Sequence, residues 1–161
     1  MGSKRQVSKR PKTFEEQLKE AHKRTERLIN VRDRSSEELR HRLLIAGFSE
    51  AVVDHEVKRA LSSGLISDDR FMRLYIEGKK RNGWGQKRIE AELKRFGIEI
   101  RLHEDYPECF FSEEDEIKRA KECLARYHST AKDQWAAQYR RLIFRGFTTD
   151  IAQKALKGTT V

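Results

Sequence analysis

Two cysteines, two prolines and nine glycines are spread over 161 residues, and no apolar run approaches the ~20 residues that would span a bilayer. Each scarcity excludes something. Cys109 and Cys123 are too few for a disulfide framework or a four-ligand zinc site, and free thiols suit a reducing compartment. The prolines, Pro11 and Pro107, leave long intervals without a helix breaker. The basic N-terminus lacks the apolar stretch of a secretory signal, so a cytoplasmic protein with no membrane partner is expected. The histidines His22, His41, His55, His103 and His128 are scattered, and no His-x-x-x-His or Cys-x-x-Cys pattern occurs, so no metal site is expected. Gly83-Trp84-Gly85 lacks a preceding strand and the Gly-Lys-Ser/Thr ending of a phosphate loop, and reads as a helix stop and restart. Asp68-Asp69 reads as charge compensation at a helix start. The expectation is a protein that is not an enzyme, with no cofactor and no small-molecule substrate.

Charge is what the chain has in abundance: 38% of residues are charged, with 35 Lys and Arg against 26 Asp and Glu, a net +9. It is laid down in blocks. Residues 1–13 carry +5 with no acid and are expected to form a disordered tail. Residues 14–67 balance to zero, 68–97 carry +4, 98–116 carry −7 and 117–161 carry +7. A patterned surface of this kind suits a nucleoprotein partner better than bare DNA.

The order of apolar residues is helical. Thr13-Phe14-Glu15-Glu16 and Ser35-Ser36-Glu37-Glu38 fit the capping box, Ser67 and Ser112 precede acidic first turns, and Ser49 and Thr148 are further caps. No alternating β-branched run appears, and only the stretch from Gly97 to Leu102 is ambiguous. A period of about 50 residues then emerges. Gly47, Gly97 and Gly146 each follow a leucine by four residues (Leu43, Leu93, Leu142) and precede a large apolar residue (Phe48, Ile98, Phe147), with Val52, Leu102 and Ile151 five residues on. A glycine at such a corner adopts the left-handed conformation that a Cβ would penalise, letting the flanking apolar residues pack across the turn. Preceding helices are expected over residues 14–33 (Phe14, Leu18, Ala21 and Leu28 inward), 68–82 (Phe71, Leu74, Tyr75 and Gly78) and 113–127 (Ile117, Ala120, Leu124 and Tyr127). The expected fold is all-α: three tandem three-helix repeats stacked into a short curved array, with repeats at 14–66, 67–111 (including an acidic linker) and 112–161.

The basic faces are the functional lead. Over 85–96, Ile89, Leu93 and Phe96 form the inward stripe and Lys87, Arg88, Lys94 and Arg95 fall largely outside it. Over 131–145, Trp135, Tyr139 and Leu142 are expected inward, with Arg141 and Arg145 a turn apart elsewhere. Lys79, Lys80 and Arg81 end a helix beside Trp84. Arg81, Trp84, Lys87, Arg88, Lys94, Arg141 and Arg145 are therefore the candidate DNA or filament contacts, through phosphate pairing and base stacking at Trp84.

The run from Arg32 through Ser35-Ser36-Glu37-Glu38-Leu39 to Leu43 and Gly47-Phe48 resembles the opening of the bacterial RecX family of recombinase regulators. Gly64-Leu65-Ile66-Ser67-Asp68-Asp69-Arg70-Phe71, leading through Tyr75 to Gly83-Trp84-Gly85-Gln86-Lys87-Arg88-Ile89 and Glu92-Leu93, is a second match, and Arg145-Gly146-Phe147 a third. The resemblance covers about residues 20–156. It implies tandem three-helix repeats and a non-enzymatic modulator of the RecA recombinase. Such a protein binds the RecA–DNA filament, on single- or double-stranded DNA, and inhibits its assembly, ATP hydrolysis and strand exchange in DNA repair, recombination and the SOS response. The acidic segment with Pro107 and Phe110-Phe111 departs from the family pattern. Two other readings remain: a helix-turn-helix-like regulator of duplex DNA, and a general helical protein-interaction array.

Overall fold

Polar caps fix where the helices begin. Thr13 and Glu16 form a complete capping box, the Glu16 amide donating to the Thr13 hydroxyl at 3.2 Å and the Thr13 amide to the Glu16 carboxylate at 2.9 Å. Ser35, Ser49, Ser112 and Thr148 each accept one amide of the turn that follows, and Asp133 does so through its carboxylate. At the second expected capping box, the Glu38 carboxylate is held by Arg32 and Arg34. The computed structural model describes residues 10–157. Its elements are α1 (Phe14–Val31), α2 (Ser36–Ile45), α3 (Glu50–Ser62), α4 (Asp68–Arg81), α5 (Gln86–Arg95), a 3₁₀ turn (Ile100–Leu102), α6 (Glu113–Ala125), α7 (Gln134–Arg145) and α8 (Thr149–Lys157). No strand occurs among the described residues. The fold is all-α and built on the three-helix theme.

Gly47, Gly97 and Gly146 all lie in the left-handed region, at φ +92°, +74° and +94°. The amide after each donates to the carbonyl of the leucine four residues before it: Phe48 to Leu43 at 3.3 Å, Ile98 to Leu93 at 3.0 Å and Phe147 to Leu142 at 3.1 Å. The three leucines are fully buried.

The chain divides into two compact units, one ending at Ser67 and one beginning at Asp68. In the first, α1, α2 and α3 enclose Ala21, Leu39, Leu43, Val52, Val53, Val57, Ala60 and Ile66. Phe14, expected inward, is about half exposed, its ring edge-on to His55, because the first turn of α1 precedes this core. Of the expected tail, Lys4, Arg5 and Lys9 lie outside the described residues. Arg10 and Lys12 are tied to α1 by ion pairs to Glu16 (2.7 Å) and Glu20 (2.6 Å).

The second unit holds two cores. One gathers Met72, Ile76, Ile89, Leu93, Ile100, Phe110 and Phe111, and the other Ala120, Leu124, Leu142, Phe147, Ile151, Ala152, Ala155 and Leu156. Where the middle repeat was expected to place a third helix, the chain makes only the 3₁₀ turn and a series of turns with a cis Tyr106–Pro107 bond. Phe110 and Phe111 of the acidic segment fill that side of the core instead. This changes the register after Gly97: Ile100 is buried, and Leu102, the counterpart of Val52 and Ile151, is 84% exposed. Of the stripe expected on α4, Phe71 is buried and Tyr75 packs against the core, whereas Leu74 points out and Met72 and Ile76 are buried instead. On α7, Leu142 is buried and Tyr139 packs against the core, but Trp135 is 54% exposed. The azimuth was right and the reach was not: Trp135 lies two turns before Leu142, beyond the end of the core.

Candidate nucleic-acid interface

Within the second unit, the end of α7 is joined to the start of α5 by backbone. The Gly85 amide donates to the Arg145 carbonyl at 2.8 Å and the Lys87 amide to the Gly146 carbonyl at 2.9 Å, so orphan donors of one helix meet orphan acceptors of another. The approach is closest at the glycines. A Cβ on Gly85 would lie 2.6 Å from the Gly146 carbonyl oxygen, and one on Gly146 would lie 2.7 Å from the Arg88 amide nitrogen.

Buried polar side chains complete the joint. Glu116, 1% exposed, accepts the Gln86 amide at 3.2 Å and pairs with Arg119. Arg119 also donates to Asp115 at 3.0 Å and to the Trp84 carbonyl at 2.6 Å, and Lys80 reaches Asp115 at 3.0 Å. Burial pushes the Asp115 carboxyl up, but the hydrogen bonds from Lys80 and Arg119 outweigh it and hold it below its ordinary value. Burial pulls the Arg119 guanidinium down, against the pull of Asp115.

Beside this joint runs a groove of about 820 Å³, walled by the end of α4, residues 108–112, the length of α6 and the last turns of α7, in which seven cations outnumber the carboxylates of Glu77, Glu108, Asp115 and Glu122. It brings together three of the expected contact residues, Arg81, Arg141 and Arg145, with Lys118 of α6 and Arg126 just past its end. Arg145 donates to the Asn82 carbonyl at 3.3 Å, Arg141 lies 5.2 Å from the centre of the Tyr127 ring, and the Nε atoms of both arginines are buried without a hydrogen-bond acceptor. Arg81 is loosely paired with Glu77 at 3.4 Å. Lys118 and Arg126 were missed because neither belongs to the basic runs of α4, α5 or α7 that flank the glycine turns. Their available signal was the +7 block and the eight-residue spacing that puts both on one face of α6.

Two of the other candidates, Trp84 and Arg88, lie along a ladder of alternating rings and cations. Lys79 sits 5.1 Å from the Tyr75 ring centre and 4.3 Å from that of Trp84, and Arg88 sits 3.8 Å from Trp84 and 5.8 Å from Phe144. Trp84 also packs on the core of the middle repeat, so its ring is already engaged by protein. Phe144, 71% exposed, ends the ladder, and sequence periodicity gave it no role. Lys87 is exposed next to Arg88, and Lys94, in the last turn of α5, pairs with Glu99 at 3.1 Å.

The acidic block presents less charge than its sequence suggests. Glu99 pairs with Lys94, Asp105 with Arg73, Glu113 with Lys154, Asp115 with Lys80 and Arg119, and Glu116 with Arg119. Among the described residues no cluster of His, Cys, Asp and Glu could hold a metal ion, and no helix is long and apolar enough to cross a membrane.

A family model described as RecX, second three-helix domain, matches residues 67–101. The Regulatory protein RecX of Caldanaerobacter subterraneus subsp. tengcongensis is 24% identical over 144 residues, covering 89% of this chain and 72% of that relative. That of Pseudomonas putida is 29% identical over 140 residues, covering 81% and 85%. Among solved structures, RecX from Lactobacillus salivarius superposes with a TM-score of 0.71 at 18% identity, over 88% of this chain and 96% of that one. A second structure, of a regulatory protein RecX, gives a TM-score of 0.75 at 17% identity, over 89% and 73%.

Proposed function

We propose that this chain, which belongs to the RecX family of regulatory proteins, binds the RecA recombinase–DNA filament in the cytoplasm and restrains its assembly, ATP hydrolysis and strand exchange. It acts by binding and transforms no substrate. The observation that carries the reading is the groove that gathers Arg81, Arg141 and Arg145 with Lys118 and Arg126 from three helices. Cations converging on one groove match the spaced negative charge of a nucleic-acid backbone inside a filament. Arg88 over Trp84, Lys87 beside it and Lys94 at the far end of α5 extend that surface toward acidic groups of the recombinase. Restraint then follows from differential affinity: a protein that binds one filament arrangement better than the active one shifts the population toward it.

The test is the DNA-stimulated ATPase of the cognate recombinase with substoichiometric amounts of this protein. The expected result is a clear fall in turnover, and unchanged turnover at equimolar protein overturns the reading. The DNA part has its own check. If about six phosphates are engaged, affinity falls on the order of a thousandfold between 50 and 200 mM salt. A flat response removes direct DNA contact.

A further inference from the structure

Trp135 stands where no core accounts for it. It is 54% exposed, it belongs to none of the buried clusters, and its ring lies nearly parallel to that of Tyr139, 7° from coplanar with centroids 5.3 Å apart. Tyr139 is itself anchored against the third-repeat core, so the pair is a tyrosine fixed from beneath with a tryptophan laid on it. Ile143, one turn beyond Tyr139, continues the exposed apolar surface along α7. Residues 117–161 hold ten basic and three acidic side chains, with Arg140, Arg141 and Arg145 on α7 itself. Arg141 follows Trp135 by six residues, about 9 Å along the axis, on the flank that faces the groove.

We propose that the Trp135–Tyr139 pair is a base-stacking platform that makes this chain select unpaired over paired nucleic acid. The pair lies outside the contacts considered above, and its ligand is a single strand free of recombinase. A stack takes another flat ring on its open face, and every base offers one whatever its sequence. Phosphates held at Arg141 and Arg145 bring their own bases within reach of Trp135. A duplex keeps its base faces stacked on one another and presents only backbone and groove edges, so it gains the cations but not the tryptophan. A protein partner would take the edge of the indole in an apolar pocket; nearly coplanar rings on a helix that also carries Arg141 and Arg145 favour the nucleobase.

The test uses the full chain and a fluorescently labelled 20-nucleotide oligo-dT, with a duplex of the same length and heparin as a polyanion without bases. Expected are three results. Trp135→Ala weakens oligo-dT binding by anisotropy about fivefold to a hundredfold, and leaves the duplex within about twofold. Trp135→Phe keeps most of the affinity. Saturating oligo-dT, and not heparin, quenches the tryptophan emission that separates wild type from Trp135→Phe. Helical content by circular dichroism is unchanged in both variants, since the side chain is outside the core. Equal losses on oligo-dT and duplex, no loss on oligo-dT, equal quenching by heparin, or no oligo-dT binding by the wild type each overturn the proposal. The assay contains no recombinase, so its failure and that of the filament reading are separate results.

Discussion

At Gly85 a methyl group would be driven into the Gly146–Phe147 backbone, although φ there is −87°, a value any residue adopts. The constraint is the neighbour and not the torsion. Gly47 is the opposite case, with φ +92° and open space around its missing Cβ. Gly85→Ala is expected to cost about 2 kcal/mol or more through displaced backbone and lost hydrogen bonds, and Gly47→Ala about 1 kcal/mol from torsion alone. Trp84 and Trp135 are the two tryptophans and both belong to the second unit. Urea unfolding followed by tryptophan emission should therefore shift for Gly85→Ala and stay put for Gly47→Ala, whereas circular dichroism registers both. Glu90 carries a pH prediction. Burial pushes its carboxyl up, but hydrogen bonds from Tyr106, Gln86 and Arg101 outweigh it and hold it below its ordinary value near 4.5. A depressed folded value means that the carboxylate's contribution is fully present above about pH 4.5 and is lost as pH falls through the folded value. Glu90→Gln should cost about 2 kcal/mol at pH 7 and flatten the loss of stability below pH 4.5, as read from denaturation midpoints across a pH series.

Among the elements, the middle repeat departs most from the others. Two helices and a 3₁₀ turn leave one side of its core open, and Phe110 and Phe111, 4% and 5% exposed, close it. Arg73 lies 5.2 Å from the Phe110 ring centre and Lys80 5.3 Å from that of Phe111, covering the seam with cations. Phe111→Ala is expected to destabilise by about 3–5 kcal/mol, seen as an early loss of the tryptophan-reported transition. Ser112→Ala, which removes only the cap of α6, should cost about 1 kcal/mol. The glycine corners were legible because each is a local event: a leucine, a left-handed residue and one hydrogen bond between residues five apart. The fate of Leu102 was not, because the five-residue spacing holds only when a full helix follows the corner.

For the whole molecule, charge in the sequence and charge in space are different maps. The −7 block is largely spent on Lys80, Arg73, Arg119, Lys94 and Lys154, whereas Arg81, Arg141 and Arg145, 60 or more residues apart across the first gap, share one groove. If these arginines pair with phosphate, replacing Arg141 and Arg145 together by alanine lowers the slope of log affinity against log salt by about 2. The same double change should weaken DNA of every sequence alike, measured by anisotropy titration from 50 to 200 mM salt.

What the sequence by itself determined was the set of local decisions: all-helical structure, the caps at Thr13, Ser35, Ser49, Ser112 and Thr148, and the corners at Gly47, Gly97 and Gly146. Each depends on residues within about one turn, so the chemistry that fixes it can be read in a short window. Only the tertiary structure decided that Trp84 is engaged and Trp135 is open, that Phe110 and Phe111 replace a helix, and that Gly85 must lack a side chain. Burial, backbone approach and the local field are sums over neighbours that are distant in sequence, and those neighbours are chosen only when the helices pack.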